Sequence, residues 1–238
     1  MQLLVSAASA ADAIAALDGG AAYVDAKAPA AGALGPVTFD VFRAIAAAVG
    51  GRRPLTAAMG DASSPASVET DAQMFASLGA SLVKLGFDGI TVPSDASALA
   101  AAAVNGARRH GAGVVLVAYA DRTHEAVSPA ALLDVASSAG AAGVLLDTAD
   151  KRGPRLTELV SPAWLTAWVA RAHRRSLTVA LAGRLQAGDL PIVRRCGADV
   201  AGVRGAACRG GREGVVEAAR VRVLLDACTA ARDLVTQP

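Results

Sequence analysis

Short apolar runs alternate with longer stretches of helical periodicity from one end of the chain to the other. The short runs are rich in Val, Leu and Ala, which is typical of buried β-strands. Eight strands are predicted: QLLVS (2–6), AYVDAK (22–27), PLTAAM (54–59), SLVKLGF (81–87), GVVLVAY (113–119), GVLLD (143–147), LTVALAG (177–183) and DVAGVRG (199–205). Because most runs are apolar on both faces, they indicate a parallel sheet that is covered by helices.

The stretches between the strands carry apolar residues at the spacing of a helix face. Several begin at Ser or Thr and end at Gly, the residues that favour helix caps. The predicted helices cover 10–17, 38–49, 64–78, 94–110, 128–139, 161–174, 190–196 and 213–230. Strands and helices that alternate without a linker favour a single α/β domain over residues 1–238, a closed (β/α)8 TIM barrel. A doubly wound open sheet is the alternative, but no GxGxxG motif follows a strand.

Composition and charge exclude several classes of protein. The aromatic share of 3% leaves few rings for stacking bases, and the net charge of +2 gives no basic field, so nucleic-acid binding is not expected. The N-terminal MQLLVSAASA enters a strand without a basic leader, and no apolar run is long enough to span a membrane. The 3 cysteines lack the spacing of zinc ligands. We therefore expect a cytoplasmic protein without membrane or metal.

The lysines are confined to strands and strand ends. Lys27, Lys84 and Lys151 are the only lysines, and the other 20 of the 23 basic residues are arginines. Asp25 and Lys27 are two apart and therefore share one face of the second strand. Asp147 ends the sixth strand, and Lys151 follows it. Charges at the carboxyl ends of barrel strands lie where barrel enzymes hold their active sites.

Lysine offers a chemistry that arginine does not. Its pKa falls when the amine is desolvated or lies near another cation, and the neutral amine is then a nucleophile or a base. Neighbouring lysines are typical of a Schiff-base aldolase site. The alternative is that each lysine pairs with a nearby Asp in a buried salt bridge, which is less expected for all three together.

The last two strand–helix loops predict a phosphate site. They read LAGRL (181–185) and GVRGAAC (202–208). Barrels commonly bind phosphate at these loops through backbone N–H groups and a helix N-terminus. The residues expected to bind phosphate there are Gly183, Arg184, Gly202, Arg204 and Gly205.

Other polar and aromatic residues carry weaker predictions. Asp121 and His124 follow the fifth strand; Asp121 is expected to cap a loop, and His124 is within possible reach of the site. Trp164 and Trp168 share one helix face and predict a core or homo-oligomer contact. RGGRE (209–213) is interpreted as a solvated helix start.

Ordered motifs along nearly the whole chain resemble one enzyme family. They are LLVS at the start, VDAKAPAAGALG (24–35), LVKLGF (82–87), LLDTADKRG (145–153), LAGRL and GVRGAAC. The resemblance is to the (5-formylfuran-3-yl)methyl phosphate synthases, also described as 4-(hydroxymethyl)-2-furancarboxaldehyde-phosphate synthases. It implies a (β/α)8 barrel that condenses two glyceraldehyde-3-phosphate molecules, with loss of phosphate and water, in methanofuran-type coenzyme biosynthesis.

The resemblance also implies residue roles. Lys27 would form the Schiff base, Lys84 would accept protons, and Asp147 with Lys151 would be a further active-site pair. On chemical grounds, nearby cations and burial would keep Lys84 neutral, and Asp25 would orient or tune Lys27. No cofactor or metal is implied, and the partner is a small phosphorylated substrate. Two alternatives stay open: another Schiff-base aldolase of phosphorylated sugars, and a non-catalytic barrel that binds a phosphorylated metabolite.

Overall fold

Eight parallel strands close into a barrel, with each strand hydrogen-bonded to the next and β8 to β1. The computed structural model describes residues 1–229. The barrel strands are β1 (Gln2–Ala7), β2 (Tyr23–Ala26), β3 (Leu55–Asp61), β4 (Leu82–Gly86), β5 (Gly113–Tyr119), β6 (Gly143–Asp147), β7 (Thr178–Leu181) and β8 (Val200–Val203). The predicted (β/α)8 barrel is therefore confirmed, and the open sheet is wrong.

Helices surround the barrel and cover the outer face of the strands. They are α1 (Ala10–Asp18), α2 (Phe39–Val49), α3 (Pro65–Ser77), α4 (Pro93–Arg108), α5 (Pro129–Ala139), α6 (Leu156–Leu159), α7 (Pro162–His173), α8 (Leu190–Arg195) and α9 (Ala218–Thr229). Five begin at a Ser or Thr whose hydroxyl accepts a backbone N–H two or three residues into the helix: Ser9, Thr38, Ser64, Ser128 and Ser161. No helix within residues 1–229 is long and apolar enough to cross a membrane.

The pleat of each strand divides its side chains between the helices and the barrel lumen. On β1 and β2, Val5 and Val24 are fully buried in the main hydrophobic core. Their neighbours Ser6 and Asp25 occupy paired positions in the β1–β2 ladder and point inward. Polar residues in these strands therefore face the lumen, as the alternation of the sequence requires.

The C-terminal part of the chain differs from the predicted helix over 213–230. A short hairpin precedes the helix, formed by β9 (Cys208–Arg209) and β10 (Val215–Val216), and α9 begins only at Ala218. Gly210 and Gly211 both have positive φ angles, 84° and 79°, which suit a turn and not a helix start. RGGRE is therefore the tip of a hairpin, while residue 230 lies outside the described residues.

One helix carries the predicted tryptophan pair. Trp168 is buried and donates its indole N–H to the Pro129 carbonyl oxygen at 2.9 Å, whereas Trp164 is 41% exposed and stacks on it at a centroid distance of 6.3 Å. Trp168 thus belongs to the core. An oligomer contact at Trp164 stays a prediction.

A second apolar cluster fills one side of the lumen. It consists of Ala33 and Leu34 from the loop after β2, together with Ala58, Val117, Tyr119 and Leu145 from the strands. The phenol of Tyr119 donates to Asp61 Oδ1 at 2.8 Å. Next to this cluster, Ala180, Ala182 and Gly202 are small and line a cavity. Leu34 fills part of the lumen, and the small residues at β7 and β8 leave the space beside it open. Together they determine where the cavity lies.

A substitution at Gly86 tests the packing around Leu34 and Tyr119. A Cβ atom there would lie 2.6 Å from the Tyr119 hydroxyl, 2.8 Å from Leu34 Cδ1 and closer still to Asp61. We expect Gly86→Ala to lower the free energy of unfolding by about 1–3 kcal/mol, measured by urea denaturation. Gly188→Ala is the control, since nothing lies within 4 Å of the added Cβ. Equal losses in both variants would contradict the packing described here.

Candidate active site

Asp25 lies fully buried in the barrel lumen and is held by its strand neighbours. Its ladder partners are Ser6 on β1 and Thr56 on β3. Ser6 Oγ donates to Asp25 Oδ2 at 3.0 Å, and Thr56 Oγ1 donates to Asp25 Oδ1 at 2.6 Å. Each hydroxyl therefore fixes one carboxylate oxygen, which keeps the Asp25 carboxylate in a single orientation.

Lys84 completes the hydrogen bonding of Asp25. Lys84 Nζ lies 2.5 Å from Asp25 Oδ2, and both side chains are almost completely buried. A buried carboxylate is tolerated only beside hydrogen-bond donors or compensating charge, and Lys84 is such a partner of Asp25. Lys84 and Asp25 are therefore joined in one buried pair inside the lumen.

Lys27 is the next lumen-facing residue after Asp25, at the carboxyl end of β2. Its backbone N–H donates to the Ala7 carbonyl oxygen at 3.0 Å and extends the ladder by one residue. The side chain is only 6% exposed, and among residues 1–229 it makes no ion pair or side-chain hydrogen bond. It is thus a buried amine without a direct counter-ion.

The surroundings of Lys27 favour its neutral form. Burial lowers the pKa of its amine from 10.5 to about 7, and the cations Lys151 and Lys84 act in the same direction. Asp147 and Asp25 oppose this shift without cancelling it. Near neutral pH a large fraction of Lys27 is therefore an uncharged nucleophile.

Asp147 and Lys151 form the other charged pair of the site. Asp147 ends β6, and its Oδ1 accepts from Lys151 Nζ at 2.6 Å and from the Thr148 backbone N–H at 2.7 Å. Burial opposes ionisation of this carboxyl, but Lys151, Lys27 and the Thr148 amide outweigh it and lower the pKa of Asp147. The pair places a second ammonium group on the cavity wall.

A cavity of about 390 Å³ joins these residues to the predicted phosphate loops. Lys27, Lys84, Asp147 and Lys151 line it, as do Gly183, Arg184, Gly202, Arg204 and Gly205. The fold therefore brings all but one of the predicted site residues to one cavity wall. Asp25 is the exception. It does not line the cavity but is paired with Lys84, which does.

The turn after β7 has an unusual backbone. Gly183 has a φ angle of 110° and Arg184 one of 58°, so two successive residues are left-handed. A side chain at position 183 would meet Leu156 and Thr148 at 3.0 Å, besides the strain of its φ angle. Glycine is therefore required here, and the turn exposes backbone to the cavity.

Arg204 has a different environment from the one predicted. Its guanidinium donates to Asp12 Oδ2 at 2.7 Å and to the carbonyl oxygens of Ser6 (2.9 Å), Gly214 (2.8 Å) and Arg212 (3.0 Å). These bonds occupy four of its five N–H donors. Its charge is compensated by buried Asp12. Arg204 thus mainly holds β8, α1 and the β9–β10 hairpin together.

Arg212 is the cavity residue that sequence reasoning missed. It was assigned to a solvated helix start, but it lies half-buried in the β9–β10 hairpin and lines the cavity. Burial lowers the pKa of its guanidinium, while Asp147 opposes that shift. The glycines around it in RGGRE were the available signal of a turn.

The residues after β5 contribute outside the cavity. Asp121 accepts from the backbone N–H groups of Ala149 and Asp150 at 2.7 and 2.8 Å and so anchors the loop that carries Lys151. His124 is exposed and does not line the cavity. Among residues 1–229 no group of three or more His, Cys, Asp or Glu side chains could hold a metal.

This arrangement is typical of a (β/α)8-barrel enzyme, with ionisable groups gathered at the carboxyl ends of the strands. The chain belongs to the 4-HFC-P synthase family, whose model matches residues 3–225. The (5-formylfuran-3-yl)methyl phosphate synthase of Methanopyrus kandleri is 36% identical over 232 residues, 95% of this chain and 98% of the relative. That of Methanosarcina barkeri is 34% identical over 234 residues, 97% and 100% of the two chains. The predicted family is confirmed.

Solved structures of other enzymes share the fold. The 3-hexulose-6-phosphate synthase of Salmonella typhimurium superposes with a TM-score of 0.65 at 18% identity, covering 95% of this chain and 100% of its own. Phosphoribosyl anthranilate isomerase from Thermus thermophilus gives a TM-score of 0.61 at 17% identity, covering 95% and 98%. At this identity the likeness concerns the barrel alone.

The lowered pKa of Lys27 predicts that this residue decreases the free energy of unfolding by an amount that depends on pH. Folding lowers its pKa from 10.5 to about 7, so between these values the unfolded chain binds the extra proton and stability rises with pH. We expect Lys27→Met to stabilise the protein, and its advantage over the wild type to shrink by roughly 2–3 kcal/mol between pH 7 and pH 9.5.

Urea unfolding of both proteins at several pH values measures this difference. Groups common to both proteins cancel when the two curves are subtracted. An advantage that does not change with pH would show that Lys27 has an ordinary pKa in the folded protein.

Proposed function

We propose that this protein condenses two molecules of glyceraldehyde-3-phosphate to (5-formylfuran-3-yl)methyl phosphate, through an imine on Lys27 and with loss of phosphate and water. The observation that carries the proposal is the buried, unpaired amine of Lys27, whose pKa is about 7. The reaction would be that of a carbon–oxygen lyase acting on phosphates. Its product would serve methanofuran-type coenzyme biosynthesis, in the cytoplasm.

The first step is attack of the neutral Lys27 amine on the aldehyde carbon of one substrate, which gives a carbinolamine. Its hydroxyl group leaves as water and requires a proton. We propose that the ammonium group of Lys84, whose nitrogen lies 2.5 Å from Asp25 Oδ2, supplies that proton. An iminium on Lys27 and a neutral amine at Lys84 result.

The second step uses the amine that Lys84 has now become. It removes the proton from the carbon next to the iminium, and the electron pair moves towards the Lys27 nitrogen to form an enamine. Lys84 thereby returns to the ammonium form beside Asp25. In this sequence Lys84 first donates a proton to the carbinolamine hydroxyl and then accepts one from carbon. It can therefore act as the proton acceptor although it begins the reaction as an ammonium group.

Carbon–carbon bond formation follows when the enamine carbon attacks the aldehyde of the second substrate. We propose that Lys151 gives protons to leaving oxygens or holds the second phosphate, and that Asp147 orients it through the 2.6 Å contact. Loss of phosphate, loss of water and ring closure then yield the furan.

The phosphate end of the substrate is proposed to bind at the loops after β7 and β8. Gly183, Gly202 and Gly205 line the cavity there without side chains, and Arg184 lies at its rim. Arg204 retains at most one N–H group for a phosphate oxygen, so its proposed part is to position these loops.

Incubation with glyceraldehyde-3-phosphate alone tests the proposal. We expect ultraviolet absorbance of a conjugated furan aldehyde to appear together with inorganic phosphate, and borohydride to fix a substrate adduct on Lys27. Lys27→Arg should lower kcat/KM by on the order of a thousandfold or more, because arginine cannot form the imine. Arg43→Lys, an exposed change on α2, is the matched control and should retain activity.

Other outcomes would change the assignment. Consumption of substrate without a furan would favour another Schiff-base aldolase of phosphorylated sugars. If no substrate is consumed, the synthase proposal is wrong and a phosphometabolite-binding barrel is favoured. Activity retained in Lys27→Arg would remove Lys27 from the mechanism.

A further inference from the structure

The β9–β10 hairpin lines the cavity with Gly211 and Arg212 and contacts the loop that follows Lys27. Arg212, near its tip, donates one terminal nitrogen to the carbonyl oxygens of Pro29 at 3.2 Å and Gly32 at 2.6 Å. The hairpin is also held by Arg204, which donates to the carbonyl oxygens of Arg212 and Gly214. Arg212 therefore occupies a fixed place between two loops at the cavity mouth.

Only one of the three guanidinium nitrogens of Arg212 is engaged in this contact. Within residues 1–229, its Nε and its other terminal nitrogen make no hydrogen bond, and its charge has no carboxylate partner within ion-pair distance. Arg204, a few residues away, differs because Asp12 balances its charge at 2.7 Å. A half-buried guanidinium without an anion lacks the compensation that such charges usually have.

Arg212 lines the cavity, as do Lys27 and Lys151. Its free Nε–H and the N–H groups of its other terminal nitrogen can each donate a charge-assisted hydrogen bond to an oxygen of a phosphate monoester. The engaged nitrogen anchors the side chain, which lowers the entropy lost when the remaining N–H groups bind an anion.

We propose that Arg212 binds the phosphate group of a triose phosphate substrate through its free N–H groups, while its engaged nitrogen keeps the β9–β10 hairpin against the Pro29–Gly32 segment. The proposal rests on the proposed function for the identity of the substrate, but the anion site itself does not depend on turnover. It adds a phosphate ligand to the glycines of the β7 and β8 loops.

Calorimetric titration with glycerol 3-phosphate tests the site, since this ester carries the phosphate but has no aldehyde to react with Lys27. We expect Arg212→Gln to weaken binding about 10- to 100-fold, which is typical for the loss of charge-assisted hydrogen bonds. Arg212→Lys should fall in between, because lysine keeps the charge but has a single nitrogen, which cannot replace both the anchored and the free nitrogens of the guanidinium.

Arg209→Gln is the matched control. Arg209 lies in the same hairpin, but its side chain is 74% exposed and pairs with Glu217 at 2.8 Å. It should bind glycerol 3-phosphate as the wild type does, and the three variants should have the same melting temperature within a few degrees. Glycerol, which lacks phosphate, should show no measurable binding to any of them.

The proposal is overturned if the wild type does not bind glycerol 3-phosphate, if Arg212→Gln binds it equally well, or if Arg209→Gln loses as much affinity. Failure of the synthase proposal is distinguishable from this. A wild type that makes no furan from glyceraldehyde-3-phosphate, but binds the ester through Arg212, would refute the synthase reaction and leave the phosphate site in place.

Discussion

The buried ion pair between Lys84 and Asp25 is the interaction on which the rest of the site depends. Two charges inside the barrel are costly to desolvate, and this pair is tolerated because Thr56 donates to Asp25 Oδ1 while Ser6 donates to Oδ2, the oxygen that Lys84 also contacts. The strand register places both hydroxyl donors level with Asp25. The ammonium group of Lys84 contributes to the lowered pKa of Lys27.

The interior of the barrel is divided between packing and chemistry. Leu34 and Tyr119 fill part of the lumen, while the small residues Ala180, Ala182 and Gly202 line the space that is left. The cavity therefore opens beside β6, β7 and β8, next to both charged pairs.

Much of the fold and the lysine cluster could be predicted because both depend on local pattern. Apolar runs marked every strand, and charges at the ends of those runs marked the lumen. The role of Arg204 depends on Asp12, which is 192 positions away, and no local pattern carries that contact. Arg212 was missed for a related reason. The segment at Gly210 and Gly211 was interpreted as a helix start. Its hairpin is fixed by contacts of Arg212 with Pro29 and Gly32, which are distant in the sequence.

The central claim is that the pKa of Lys27 is lowered to about 7, so that a large fraction of its amine is uncharged near neutral pH. The chain has only three lysines, so protein labelled with ¹³C at lysine Cε should give three resonances, and Lys27→Met identifies the one from Lys27. A pH titration followed by NMR measures the pKa directly. The account predicts that the Lys27 resonance titrates with a midpoint near 7. A midpoint close to the ordinary lysine value of about 10.4 would contradict it.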